Sequence, residues 1–218
     1  MFPLEKQRLA VVGLLLLWCI ALIAFRFHLA SDWLASGLLW NLFLATLPLL
    51  WSTAFQGALR RGRPLWAGAC LGLWLIFLPN APYLLTDLIH LEPNPHVPLW
   101  YVLAILLSCA GTGTLLGYLS LLDIHAVIER RRGKVLGWFV ASASLMLCGF
   151  GIYLGRFLRW NSWDAFTHPF RLLHSIGGQL VNPGPNPHPL AVTLVFGGGL
   201  LVGYFALRVI AAPTNEAD

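Results

Sequence analysis

An all-α, polytopic membrane bundle of about six spans is the fold class this sequence predicts, and three observations predict it. The chain is 58% hydrophobic and only 11% charged, with a mean hydropathy of +0.72. A soluble domain carries about 25% charged residues to face water, so most of this surface is expected to face lipid. Six apolar segments approach the roughly 20 residues needed to cross about 30 Å of hydrocarbon. Lysines and arginines cluster at alternate gaps between these segments, as they do in cytoplasmic loops.

The elements follow in order. Met1–Arg8 is a short basic stretch ahead of the apolar run Leu9–Phe25. No small-x-small cleavage site follows it and further spans do, so it reads as the first span rather than a signal peptide. The remaining spans are Trp33–Phe55, Leu65–Leu78, Pro98–Leu122, Val135–Phe157 and Leu190–Ile210. Lys6 and Arg8, then Arg60, Arg61 and Arg63, then Arg130, Arg131, Arg132 and Lys134, and finally Arg208 fall on one side of a six-span topology. That side is expected to be cytoplasmic, with both termini on it. The chain reads as one integral-membrane domain over residues 1–218, with no room for a separate soluble one.

Some chemistries are excluded. Cys19, Cys70, Cys109 and Cys148 sit inside apolar runs without zinc-site spacing, and read as small packing residues. The net charge of +5 comes from basic clusters beside spans, which points to the bilayer as partner and not to nucleic acid. The pairs Gly68/Gly72, Gly113/Gly117, Gly151/Gly155 and Gly199/Gly203 have the small-xxx-small spacing of close helix contacts, so the last four spans are expected to form the tight core, with the first two more peripheral.

The third span is the irregular one. Leu65–Leu78 is short and is interrupted by Pro79-Asn80-Ala81-Pro82. Proline lacks an amide donor and disfavours helix in the residue before it. Asn80 is expected to cap a new short helix, 81–91, with Pro82 in its first turn. On an α-helix Tyr83, Asp87 and His90 share one face and Leu84, Leu88 and Leu91 another. This predicts a short amphipathic helix at or just inside the outer interface.

A second polar cluster closes the fifth span: Arg156, Arg159, Trp160, Asn161, Ser162, Trp163 and Asp164, then His168. Arg156, Arg159 and Arg171 run against the positive-inside bias, which asks for another reason for them. Asp87 and Glu92 are expected on the same side, so Asp87 is expected to pair with Arg156 or Arg159. Asp87/His90 and Asp164/His168 have i, i+3 and i, i+4 spacings, which makes His90 and His168 weak metal-ligand candidates without a specific signature. The bland reading is that Arg and Trp at a span end anchor it to the interface, and that an Asp–Arg pair only holds the fold. Between Asp164 and Val181, Phe170-Arg171-Leu172-Leu173-His174 with Ile176 suits a turn or two of surface-lying helix. A Pro-Asn-Pro-His motif at 93–96 recurs at 185–188, which is the signal of a weak parallel repeat.

These two clusters together are distinctive. Phe77-Leu78-Pro79-Asn80-Ala81-Pro82-Tyr83 with Thr86-Asp87-Leu88 and His90-Leu91, joined to Gly149–Phe157 and Arg159–Asp164, resembles the bacterial domain-of-unknown-function family thirteen-sixty-one. The resemblance implies a small inner-membrane protein and no particular activity or cofactor.

Three functions follow from the residues. The first is a membrane-embedded enzyme or binding site for an anionic lipid or phosphate-bearing group. There Asp87 and His90 are catalytic acid/base candidates, and Asn80, Tyr83, Arg156, Arg159, Trp160, Asn161 and Asp164 are substrate-binding candidates. The alternatives are a small transporter or channel lined by the broken helix, and a structural or assembly protein. The sequence favours the first, because the ionisable residues gather at one side. Asn41, Ser108, Thr112 and Thr114 are the polar residues at mid-span, and helix packing is expected to account for them.

Overall fold

The computed structural model describes residues 3–30, 33–181 and 188–211, and every regular element among them is helical. Six stretches are long and apolar enough to cross a membrane, and the protein is a multi-pass membrane protein. Their outward faces are studded with exposed apolar side chains, among them Leu14, Leu17 and Trp18, Leu65, and Val195 and Val202. Surfaces of that kind are stable against lipid and not against water. The chain divides into two compact units, Met1–Val127 and Ile128–Asp218.

In the first unit, α1 (Pro3–Leu29) and α2 (Trp33–Arg60) are long uninterrupted helices, α2 tolerating Pro48 in its interior. The third span is composite: α3 (Pro64–Phe77), then α4 (Asn80–Tyr83), then a 3₁₀ helix (Leu84–His90). α5 (Leu99–Arg132) completes the unit and carries on past it. α1 runs antiparallel to α5: Arg8 meets Asp123, Trp18 Nε1 donates to Ser108 Oγ at 3.2 Å, and Tyr101 OH donates to the Leu22 carbonyl at 2.8 Å. α3 does the same, with buried Trp74 donating to Ser120 Oγ at 3.1 Å and α4 following against Gly113. α2 packs along α3, α4 and α1, so the second span is central to this unit rather than peripheral as expected.

In the second unit, α6 (Lys134–Arg156) packs antiparallel on α9 (Pro189–Ile210), with α7 (Asp164–Thr167) and α8 (Pro169–Val181) between them in the chain. Gly149 lies so close to α9 that an added Cβ would stand 2.6 Å from Gly197 N and 2.7 Å from Thr193 O. Towards the other end of the pair, Trp138 meets Tyr204 edge-on at 6.1 Å and takes Arg208 over its ring at 5.4 Å, while Arg208 also reaches Glu129 at 3.2 Å.

Two expectations are corrected here. The basic run 130–132 is not a loop. α5 continues through it, because Glu, Arg and Ala are strong helix formers. At 34 residues α5 is about 51 Å long and overshoots the hydrocarbon. The turn to α6 is instead a single residue, Gly133, at φ 94°, a backbone region that L side chains rarely adopt. The glycine pairing also differs. Gly113/Gly117 do make the expected close contact, but Gly68, Gly72 and Gly199 face open space, and Gly149 with Gly197 forms the α6–α9 contact. Small-xxx-small spacing recurs by chance in glycine-rich spans, and only packing selects the register. Finally, the second copy of the proline motif, at 185–187, lies outside the described residues, while His188 caps α9 by accepting from Leu190 N.

Candidate functional site

The composite third span is the first candidate. α3 ends at Phe77, yet Leu78 and Pro79 stay in the right-handed helical region, so the chain does not turn aside. Pro82 has no N–H to bond the Leu78 carbonyl, and that carbonyl accepts Ala81 N at 3.1 Å instead. The helix therefore tightens, and by Leu84 it is 3₁₀. Asn80 does not cap the new helix as expected. Pro79 holds the N-cap position, and the Asn80 amide turns back to donate to Phe77 O at 3.0 Å, satisfying an end carbonyl of α3.

Ala81 and Leu84, both fully buried, seat in the groove at Gly113 and Gly117 of α5. This fixes their depth. Gly113 lies fourteen residues into α5, about 21 Å from its start. A 3₁₀ helix rises about 2.0 Å per residue, so Asp87 stands some 6 Å nearer that start, about 15 Å from the level of Leu99. The segment continues the third candidate span, which runs Pro64–His90, as a 3₁₀ helix rather than the expected α-helix, and Asp87 lies within it.

Asp87 is 3% exposed. Its Oδ2 accepts a 2.9 Å hydrogen bond from Asn41 Nδ2 of α2, which gives mid-span Asn41 a role beyond packing. Ser108, Thr112 and Thr114 do follow the packing expectation, bonding Trp18, Cys19 and the Ala110 carbonyl. The 3₁₀ period of three aligns Leu84, Asp87 and His90 on one face and turns Tyr83 off it. His90 is half-buried, one 3₁₀ turn closer to the Leu99 end. Thr86 caps its own turn, donating to Tyr83 O at 2.7 Å.

The second candidate is the C-terminal end of α6. Phe150, Tyr153 and Phe157 stack along it with centroids 6.3 and 5.6 Å apart. Buried Tyr153 donates to Gln179 Oε1 at 3.1 Å, and Trp160 Nε1 donates to Ser175 Oγ at 3.2 Å, so α8 is fastened to the end of α6 at two points. Between them the chain reverses at Arg159, which has φ 58°, and Trp160 N closes the turn on Leu154 O at 3.0 Å. Arg159 is the one non-glycine residue at positive φ among the described residues. That conformation costs an L residue about 1–2 kcal/mol, and glycine would remove the cost. Arg159 is exposed and takes part in no ion pair among the described residues.

Asp164 is occupied locally. It accepts Asn161 N at 2.7 Å and lies near Thr167 Oγ1 and His168 Nδ1, at 3.4 and 3.8 Å. It shapes the turn into α7 and has little capacity left for a ligand. Asn161 contributes its backbone to that turn and Trp160 its indole to the α8 link. Arg156 is half-buried in the last turn of α6. Among the described residues no three His, Cys, Asp or Glu side chains gather as metal ligands, around His90 and His168 included.

Two polar groupings escaped the sequence reading. Arg8, counted there only as a topogenic charge, forms a bidentate pair with Asp123 at 2.6 and 2.9 Å, and Ser52 adds a 3.0 Å bond to the same carboxylate. Arg26 is 3% exposed near the end of α1. Asp123 lies 115 residues from Arg8, so no local spacing announces the pair; the available signal was an acidic residue just past the end of an apolar run.

No curated protein and no solved structure matches this chain. The family model described as "Protein of unknown function (DUF1361)" matches residues 40–202, a stretch that holds both candidate sites and nine-tenths of α2 onward to α9, and the chain belongs to that family.

Proposed function

We propose that this protein is an inner-membrane protein, with both termini cytoplasmic, that binds an anionic phosphate-bearing group at the outward end of α6. The observation that carries this is Arg159. An exposed arginine occupies the left-handed position of a tight reversal, where glycine would be cheaper by about 1–2 kcal/mol. A guanidinium retained at that cost is most readily explained by a ligand for it, and arginine suits phosphate oxygens through paired charge-assisted bonds. Arg171 supports the same reading. It lies in the first turn of α8, where the helix dipole disfavours a cation, and one turn before Ser175, to which Trp160 is bonded.

In this reading Arg156 and Arg159 are the anion contacts, with Trp160, Asn161 and Asp164 holding the loop that presents them. Asn80 and Tyr83 shape the composite span beside Asp87 and His90. An enzymatic reading of the composite span by itself assigns proton transfer to His90, with Asp87 one 3₁₀ turn away.

The test uses purified protein in nanodiscs of phosphatidylcholine with or without phosphatidylglycerol. Arg159→Gly relieves the backbone and removes the guanidinium, so thermal stability is expected to rise while anionic-lipid binding weakens about tenfold, the equivalent of 1.4 kcal/mol. An Arg159→Gly protein that gains stability and binds anionic lipid as before would refute the reading.

A second reading is a small transporter, and one observation favours it. A buried carboxylate, facing the interior of its unit on a span interrupted by two prolines, is a common arrangement on ion and proton pathways. Proton flux in proteoliposomes that disappears in Asp87→Asn would select it; flux indistinguishable from empty vesicles would remove it.

A further inference from the structure

We infer that α8 lies in the plane of the membrane surface, with Phe170 and Leu173 dipping into the acyl region and Arg171 and His174 at the headgroup phosphates. The inference rests on how the thirteen residues of α8 distribute around its axis and does not depend on the anion site proposed above.

At 100° per residue the helix has three sectors. Leu172, Ser175, Ile176 and Gln179 form one, and all four are partly buried; Ser175 and Gln179 take the hydrogen bonds from Trp160 and Tyr153 that hold α8 to the end of α6. Next to it, Phe170, Leu173 and Gly177 form an apolar sector that no described residue covers, Phe170 being 84% and Leu173 64% exposed. Beyond that, His174, Gly178 and Arg171 form an exposed polar sector. A helix packed on one side only and standing in water would place polar residues over the whole remainder. Here the remainder is divided lengthwise into an apolar half and a basic half.

Three further features identify the occupant as the bilayer's own interface. α8 contains no acidic residue, so its exposed charge is cationic and complements phosphate. α7 and its N-cap add exposed Phe166 and Trp163 just before α8, aromatic residues of the kind that collect at the headgroup level. The site of attachment is the end of a span, α6, which is where such a boundary falls. Interfacial helices of this pattern bury their apolar face about 5–10 Å below the headgroups. Arg171 in the first turn is then explained as well, since a phosphate there offsets both its charge and the helix N-terminus.

The experiment places a nitroxide label on the full-length protein at Phe170→Cys, Leu173→Cys, His174→Cys or Gly178→Cys, one at a time, with the four native cysteines replaced by alanine. The proteins are reconstituted in phosphatidylcholine–phosphatidylglycerol vesicles. Power saturation is read with oxygen, which partitions into acyl chains, and with an aqueous nickel chelate. Labels at 170 and 173 are expected to be several-fold more accessible to oxygen than to nickel, and labels at 174 and 178 the reverse. Nickel access at 170 equal to that at 178 would overturn the inference by placing the helix in water. Shielding of 170 and 173 from both reagents would overturn it by showing a protein partner over the face. If the cysteine-free protein does not fold, a benzophenone amino acid at position 170 in the native background serves instead. Photocrosslinking to acyl chains is the expected product, and crosslinking to protein alone refutes the inference.

Discussion

Replacing Gly113 with alanine tests the packing that seats the composite third span on α5. A Cβ at Gly113 would collide with the backbone carbonyl oxygen of Ala81 and stand 2.6 Å from Leu84 Cδ1. Carbon atoms pack at about 3.5–4.0 Å, so α4 and α5 would have to separate by about 1 Å. Neither neighbour can yield cheaply. The Ala81 carbonyl is backbone, and Leu84 is fully buried. Overpacking of this kind costs about 1–3 kcal/mol, and alanine recovers up to ~1 kcal/mol through its better helix propensity. The expected net destabilisation is about 1–2 kcal/mol, a fall in Tm of about 2–8 °C for a chain of this size. Gly72→Ala is the control, because its Cβ meets nothing within 4 Å; its Tm should hold or rise. The four buried free cysteines supply the assay, since a thiol-reactive dye lights up as each becomes accessible on heating. A Gly113→Ala protein melting at or above the wild-type temperature would refute the packing.

Other outcomes follow from single contacts. Asp87→Ala is expected to destabilise by about 1–3 kcal/mol by stranding the Asn41 amide, whereas Asn41→Leu with Asp87→Leu should cost less than the two singles together; strict additivity in that cycle would show no coupling. If Asp87→Ala lowers stability and leaves binding and flux intact, the site is structural. Arg8→Ala or Asp123→Asn should each cost about 2 kcal/mol, since a charge-assisted bidentate pair with a third donor is lost; thermal melts within error of wild type would contradict this. Gly133→Ala forces a side chain into φ 94° and is expected to cost about 1–3 kcal/mol; an unchanged melt would mean the α5–α6 turn relaxes freely. Tyr153→Phe should loosen α8 with little effect on the spans, read as faster amide exchange confined to Pro169–Val181.

Much of the architecture is carried by composition and punctuation. The six apolar runs, the prolines that interrupt the third, and the polar end of the fifth are one-dimensional signals, and they locate the spans to within a few residues. Their extents miss where polar residues continue a helix, as in α5 through Arg132, because hydropathy measures lipid preference and not helix propensity. The candidate residues were likewise visible as polar groups in unusual places. Their environments were not. Asp164 is taken up by its own turn, Arg159 sits at a strained reversal, and Asn80 caps the helix behind it, distinctions that depend on backbone dihedrals.

What the sequence determines alone, then, is that this chain lives in a membrane, how often it crosses, and which polar residues need an explanation, since each follows from local transfer free energy. Only the tertiary structure decides that Gly113 rather than Gly72 is a contact, that Arg8 finds Asp123, and that Asp87 faces Asn41. Those outcomes rest on which helix faces meet, and contact between residues far apart in the chain leaves no trace in local pattern.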